Sequence, residues 1–319
     1  MNIDQINTVA IIGAGTMGSG ISLCVAAAGY QANLYDVSGR QLENALARVQ
    51  SCQEVLIREG IFSPEQARQS MARIHCYTDL GEAVAQAQFI IEAVPEELEL
   101  KRRVFRQIEE ACPPDAIRVT NTSGLSVSEI TKQSLSPELS AGMHWVNPPE
   151  LVPLVEIICG EKSSDETIGL IYELAVKLGK KPVLIQREVP GIGLNRLQFA
   201  LFREALGMVE EGVVSAEDVD RIMCYGLGFR YPWIGPLKTA DLGGLDVFYE
   251  ISKYLFQHLS DAKTPPPMLA DLVTEGHLGV KSGQGFYDYG QDAAGRILDR
   301  RDRSFIRQCR LMQEIDSDE

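Results

Sequence analysis

The first half of the chain alternates short strand-like runs, the first of them wholly apolar, with longer helix-like ones. Residues 9–12, 32–35, 89–94 and 117–120 are runs of strand length, and the first, Val9-Ala-Ile-Ile12, reads as a buried parallel strand. Residues 19–28, 39–60 and 96–111 predict helices between them. On the last of these, Leu98, Val104, Phe105 and Ile108 are expected on the buried side. Ser63-Pro64 caps a further short helix, and residues 73–77 form a weak strand. Strands are also expected at 141–144, 151–158 and 182–186, with a helix at 166–178. This alternation predicts a parallel α/β sheet.

The pattern changes after Pro190-Gly191, where βα alternation stops. Residues 194–211 are apolar nearly all round their first turns, which predicts a buried helix. Ser215-Ala-Glu-Asp218 resembles a capping box with Asp in the acidic position, and so starts another helix. Helices follow near 236–258 and 267–275. Residues 283–289 form a loop, and a charged tail from about 298 is expected as one helix.

The chemistry starts in the first turn. Three glycines, Gly13, Gly15 and Gly18, follow the first strand, and an acid, Asp36, ends the second. In a dinucleotide site such glycines supply a tight turn, close backbone approach to the pyrophosphate, and close helix–strand packing, with the acid ~20 residues on. The helix start offers free N–H groups to the phosphates. A purely structural turn is the competing reading of the glycines alone. Asp36 would accept hydrogen bonds from the adenosine ribose and repel a 2′-phosphate, so the expected cofactor is NAD. The resulting division is a Rossmann-type doubly wound α/β domain, residues 1–189, and an all-helical domain, residues 190–319.

Composition narrows the partners. The 319 residues carry a formal net charge of -14, which disfavours nucleic acid and anionic membrane surfaces. No apolar run approaches the ~20 residues of a membrane span, and the first residues show no basic or apolar export signal. Seven cysteines and four histidines show no CxxC, HxxxH or HExxH spacing. No metal and no disulfide is expected, and a reducing cytoplasm fits.

A nicotinamide enzyme without a metal needs a base for the alcohol proton, and histidine suits neutral pH. His144 lies where a strand gives way to Asn147-Pro148-Pro149, outside the carboxyl end of the sheet. A reversal near residue 150 would lay Glu156 opposite it. Glu156 is the one charge in Leu151-Val-Pro-Leu-Val-Glu-Ile-Ile158, and burying it without a partner is costly. The alternative is a histidine satisfied at a strand end and a solvated carboxylate. Ser123, in Asn121-Thr-Ser-Gly124, reads first as a turn residue or cap, and second as a hydroxyl reaching a cleft. Asn195 is an ordinary cap or a cleft amide. Lys281 on its own merits is a solvated loop lysine.

Ile12-Gly-Ala-Gly-Thr-Met-Gly18, Glu92-Ala-Val-Pro-Glu96, Asn121-Thr-Ser123, Gly142-Met-His-Trp-Val-Asn147-Pro, Leu154-Val-Glu156, Pro190-Gly-Ile-Gly-Leu-Asn195-Arg and Gly279-Val-Lys-Ser-Gly-Gln-Gly-Phe-Tyr287 occur in this order. With these motifs the chain resembles the NAD-dependent 3-hydroxyacyl-CoA dehydrogenase family along essentially its whole length. The resemblance implies His144 as base, Glu156 as its orienting partner, and Ser123 and Asn195 as hydrogen-bonding groups at the substrate oxygen. It implies cofactor contacts from Gly13, Gly15, Thr16, Met17, Gly18, Asp36, Ala93, Glu96, Lys101, Asn121, Ser123 and Lys281, with Asn147 near the nicotinamide. It also implies a helical domain that forms a homodimer.

Two departures bear on the substrate. Acyl-CoA members tend to carry a serine and lysines on the long helix after the second strand. Here residues 39–60 hold only Arg40, Arg48 and Arg58 as cations, and the first lysine is Lys101. Several phrases, among them Gly226-Leu-Gly-Phe-Arg-Tyr231, are similar to a side branch that includes lambda-crystallin and gulonate dehydrogenases. Gly142-Met-His-Trp is similar to dehydrogenases of pyridine carboxylates. The leading reading is a 3-hydroxyacyl dehydrogenase using NAD. The alternatives are the same chemistry on a small acid without CoA, and a non-catalytic NAD-binding structural protein. The joint presence of Ser123, His144, Glu156 and Asn195 argues against the last.

Overall fold

The computed structural model describes residues 1–290 and 294–316, with side chains described through residue 312. The chain forms two compact units, Met1–Asn195 and Arg196–Glu319.

In the first unit the order is β1 (Thr8–Ile12), α1 (Thr16–Ala27), β2 (Gln31–Tyr35), α2 (Gly39–Arg58), α3 (Pro64–Ala72), β3 (Ile74–Tyr77), α4 (Leu80–Val84) and β4 (Phe89–Glu92). Then come α5 (Leu98–Ala111), β5 (Ile117–Thr120), α6 (Val127–Ile130), β6 (Ser140–Trp145), β7 (Leu154–Ile158), α7 (Asp165–Lys177) and β8 (Lys181–Ile185). The eight strands lie in the order β3-β2-β1-β4-β5-β6-β7-β8. Neighbours are parallel except β6 and β7, which the Pro148-Pro149 turn makes antiparallel. This is the doubly wound Rossmann order, extended at one edge. Every residue of β1, β4 and β5 is buried, as in strands covered on both faces, and the polar ones, among them Glu92, Arg118 and Thr120, are buried with the rest.

Local chemistry sets the ends of the elements. The Ser38 hydroxyl accepts from Gln41 N–H to start α2. Ser63 and Gln66 form a reciprocal capping box, with Pro64 at the first position of α3. β4 stops at Glu92 rather than at residue 94, because the Glu92 carboxylate takes Val94 N–H and turns the chain. β7 starts at Leu154 rather than at 151, because Leu151 and Val152 donate to Pro148 O in a turn. On α5 the buried residues are Lys101, Val104, Phe105 and Ile108, and Leu98 is half-buried. The short helices α4 and α6 were not anticipated.

The second unit follows through α8 (Leu194–Glu210), whose first two residues belong to the first unit, α9 (Ala216–Ile222), a π-helical turn at Met223–Leu227 and α10 (Gly228–Arg230). It ends with α11 (Pro236–Gly243), α12 (Leu245–Leu255), α13 (Pro267–Thr274) and α14 (Ala294–Asp316). The stretch 236–258 is two helices, broken at Gly244, whose φ of +93° suits glycine. The expectation of a buried α8 does not hold within one chain. Leu197, Phe199 and Leu201 are exposed, and Leu206 is the one buried residue of α8. Among the described residues, no helix is long and apolar enough to cross a membrane.

Candidate active site

Two turns and one strand pair, all in the first unit, carry most of the candidate residues. The first turn joins β1 to α1. Gly13 has φ +112°, and a Cβ there would lie 2.7 Å from Ala93 O. A Cβ on Gly18 would lie 1.8 Å from Gly13 O, so the helix can approach the strand only through glycine. At Gly15, by contrast, a Cβ meets nothing within 4 Å. Space is therefore clear above the middle of the turn. Gly15 caps α1 without any side-chain bond. The N–H groups of Thr16, Met17 and Gly18 thus lack intrahelical acceptors and sit at the positive end of the helix dipole.

Asp36, at the end of β2, completes this corner. Its carboxylate accepts Ala14 N–H through Oδ2 at 3.0 Å and Ser38 N–H through Oδ1 at 3.0 Å. Arg48 on α2 donates to Ala14 O at 2.9 Å and braces the turn from the other side. Clear space over Gly15, free helix N–H groups and an acid beside them fit a dinucleotide's pyrophosphate and ribose.

The second cluster lies at the ends of β4 and β5. Glu92 is fully buried and accepts Lys101 Nζ at 2.7 Å, Val94 N–H at 2.7 Å and the Thr120 hydroxyl at 2.6 Å. Burial nevertheless pushes the Glu92 carboxyl above its ordinary value. Lys101 also donates to Val94 O at 3.3 Å and lies 3.4 Å from Glu96. Glu96 Oε1 in turn accepts the Thr122 hydroxyl, Ser123 N–H at 2.9 Å and Gly124 N–H at 3.1 Å. Burial pushes Glu96 up, but the Thr122 hydroxyl, Lys101 and Ser123 N–H together hold it below the usual range. The structure thus brings Glu96 and Lys101 together and ties them to the Ser123 turn. Asn121 accepts Trp145 N–H at 2.8 Å, which joins that turn to β6.

The third cluster is the β6–β7 pair. His144 and Glu156 are directly opposed in the antiparallel register. His144 Nδ1 lies 2.7 Å from Glu156 Oε2, and both residues are buried. Glu156 Oε1 accepts Gly193 N–H at 3.1 Å, just before α8, and Leu194 N–H at 2.8 Å, the first amide of that helix. Burial raises the Glu156 carboxyl, but His144 and these two amides outweigh it and hold it below the ordinary carboxylate range. A Cβ on Gly193 would lie 2.6 Å from Glu156 Oε1, so the carboxylate requires glycine there. Asn195 Nδ2 donates to Ser123 O at 3.0 Å and links this cluster to the second.

Asn147 is exposed at the start of the following turn. That turn is held from below by Lys180, which donates to Pro149 O and, at 3.0 Å, to Val152 O. Ala93 is half-buried behind the glycine turn, its carbonyl against Gly13. Lys281 belongs to the second unit, where it is exposed in a loop.

Glu92 and Gly193 entered the sequence reading only inside motifs, and Arg48 only as one of three helix cations, so the contacts they make here were not anticipated. Glu92 had a readable signal, since it is the lone acid in Phe89-Ile-Ile-Glu92 just as Glu156 is in its own run. Burial of Lys101 was readable too, because Lys101, Val104, Phe105 and Ile108 share helical spacing. The bonds of Arg48 and Gly193 are long-range and left no local mark.

With Nδ1 facing a carboxylate, His144 presents Nε2 as its remaining proton-accepting atom. A neutral imidazole with Nδ1–H toward Glu156 can take a proton at Nε2, and the adjacent carboxylate stabilises the cation that forms.

Residues 8–189 match the family model described as 3-hydroxyacyl-CoA dehydrogenase, NAD binding domain, and residues 191–289 match its C-terminal domain. A 5-formyl-3-hydroxy-2-methylpyridine 4-carboxylate 5-dehydrogenase from Mesorhizobium japonicum is 34% identical, over 97% of this chain and 99% of that protein. A probable 3-hydroxybutyryl-CoA dehydrogenase from Bacillus subtilis is 37% identical, over 89% of this chain and 98% of that protein. The crystal structure of an NAD+-dependent 5-formyl-3-hydroxy-2-methylpyridine 4-carboxylic acid 5-dehydrogenase superposes with a TM-score of 0.90 at 34% identity, covering 97% of this chain and 99% of that one.

Proposed function

The chain belongs to the 3-hydroxyacyl-CoA dehydrogenase family and is an NAD-dependent dehydrogenase, and from that premise we propose that it oxidises the hydroxyl of a 3-hydroxyacyl compound or a related hydroxy acid with His144 as the base. The observation that carries this is the His144–Glu156 pair, 2.7 Å apart on opposed strands, with Glu156 fixed by two amides on its other oxygen. NAD, when bound, accepts the hydride from the carbinol carbon. His144 Nε2 takes the hydroxyl proton, and Glu156 holds the Nδ1–H tautomer. Ser123 and Asn195, joined through the Ser123 carbonyl, are assigned to the substrate oxygen. Gly13, Gly15, Thr16, Met17 and Gly18 are assigned to the pyrophosphate and Asp36 to the adenosine ribose. Ala93, Glu96, Asn121, Ser123 and Lys281 are assigned to further cofactor contacts, with Asn147 at the nicotinamide end, while Lys101, buried against Glu92, acts on that site through Glu96 rather than by direct contact.

One observation favours a substrate without CoA. A CoA ester brings a 3′-phosphate and a pyrophosphate, which call for clustered cations. Of the three arginines on α2, Arg48 is committed to Ala14 O and Arg58 lies 3.8 Å from Glu59, which leaves Arg40 exposed to solvent. The helix α14 lies beyond the family match, which ends at residue 289, and the pyridine-carboxylate relative aligns across more of the chain than the hydroxybutyryl-CoA relative does. The test is a substrate panel followed by NADH absorbance, with 3-hydroxybutyryl-CoA beside free sugar acids and aromatic hydroxymethyl acids. The expected result is a higher kcat/KM for a free acid. Efficient turnover of the CoA ester and none of the acids would reverse the choice.

The second unit supports a homodimer. Among its described residues, Leu206 and Ile306 are the buried apolar side chains, while Tyr225, Phe229, Leu237 and Phe256 are each at least 70% exposed. A domain with so little of its apolar surface covered needs a partner surface, and a second copy is the commonest one.

A further inference from the structure

We propose that Ile192 is a positioning residue for the catalytic base: locked in a left-handed backbone conformation, it turns the amides of Gly193 and Leu194 onto Glu156. The proposal rests on the functional reading above and adds a residue to it.

Ile192 has φ +54°, and among the described residues it is the one non-glycine with a positive φ. A β-branched side chain is strained in that region, so the surrounding structure must hold it there. The side chain is buried and packs on Val127 and Ile158, with Ile185 beside them. These three come from α6, β7 and β8, so the anchor grips three elements at once. The preceding residue, Gly191, also has positive φ at +79°, and Ile192 N–H donates to Val189 O at 3.0 Å. Upstream, Glu188 accepts Ser128 N–H at 2.9 Å and the Ser126 hydroxyl at 3.1 Å. The segment from Glu188 to Ile192 is therefore tied to α6 by two hydrogen bonds at one end and an apolar plug at the other.

Gly193 and Leu194 point both N–H groups at Glu156 Oε1, and Asn195 reaches Ser123 O. Ile158 lies two residues beyond Glu156 on β7, so both project from the same face of the strand. Ile192 thus packs beside the carboxylate that its own neighbours bind. With a relaxed conformation at Ile192, the two amides would no longer converge on one oxygen. Glu156 would then concentrate its charge on His144. His144 on β6 is the titratable side chain bonded to Glu156; β8 offers Val183 opposite it, and the segment around Gly193 offers backbone N–H groups.

Ile192→Gly allows the left-handed backbone but removes the anchor, and Ile192→Val keeps most of the anchor. In Ile192→Gly, kcat is expected to fall roughly 10–10²-fold, as for a base misplaced by about 1 Å, with KM for NAD little changed. The acid limb of the kcat/KM profile is expected to move to higher pH, since a carboxylate with fewer donors holds the imidazole proton more firmly. Ile192→Val should restore both. A readout independent of turnover is the ¹⁵N NMR titration of the His144 imidazole in the substrate-free protein. Its pKa should rise in Ile192→Gly and return in Ile192→Val. A folded Ile192→Gly protein, judged by circular dichroism, with an unmoved His144 titration would overturn the proposal. Failure of the functional reading would look different, since the wild-type protein would then turn over none of the hydroxy acids.

Discussion

Lys101 and Glu92 pair at 2.7 Å with side chains 1% and 0% exposed, and neither reaches solvent. The pair is the base on which Glu96 and the Ser123 turn rest. A buried ion pair owes its worth to mutual compensation, and removal of one member strands the other.

Lys101→Met leaves Glu92 buried without its cation. Chemical denaturation should show a loss of about 3–5 kcal/mol, the usual range for breaking such a pair. The double variant Lys101→Met, Glu92→Leu should recover much of that loss. A single variant as stable as the wild type would show that the pair contributes nothing to the fold.

The corner at Asp36 predicts cofactor choice. Strong preference for NAD over NADP is expected, because the carboxylate would face any 2′-phosphate. Asp36→Ala should weaken NAD binding through loss of charge-assisted bonds worth ~1.5–3 kcal/mol each. Asp36→Asn should lose less, since its amide oxygen can still accept Ala14 N–H, the bond now made at 3.0 Å. Isothermal titration with both cofactors decides it, and comparable affinity for NADP would refute the assignment.

Much of this was legible in the sequence, for physical reasons that can be named. The apolar run Val9–Ile12 of β1 is bounded by turns, so its position follows from burial on both faces. The opposition of His144 and Glu156 followed from a Pro-Pro reversal and one acid in an apolar strand. What was not legible depends on contacts distant in sequence. Gly193 has no local reason to be glycine, and its reason is Glu156, 37 residues away. The apolar surface of residues 194–208 is more than one small helical domain covers easily, and Leu197, Phe199 and Leu201 are exposed in the single chain.

That exposure makes assembly testable. Light scattering at micromolar concentration should give twice the 35.2 kDa chain mass. The thermal midpoint should rise with protein concentration, since dimerisation is linked to folding. A monomer with a concentration-independent midpoint would contradict the homodimer.

Glu156 gives a pH test of stability. Its carboxyl is held below the ordinary value by His144 and two amides, despite burial. A depressed native pKa contributes stability in full above the unfolded value of ~4.3, and that contribution is lost as pH falls through the native value. Between about pH 5 and about pH 3, the wild type should therefore lose more unfolding free energy than Glu156→Gln. Parallel curves would show that the carboxylate is not stabilised by this site.

The central claim is that His144 is the base, and single-turnover hydride transfer in His144→Ala tests it most directly. With the best substrate of the panel, NADH formation should slow by roughly 10²–10⁴-fold, the usual share of general acid–base catalysis, while the affinity for NAD stays close to that of the wild type. A His144→Ala protein that forms NADH at a near-normal rate would contradict the account and place the base elsewhere.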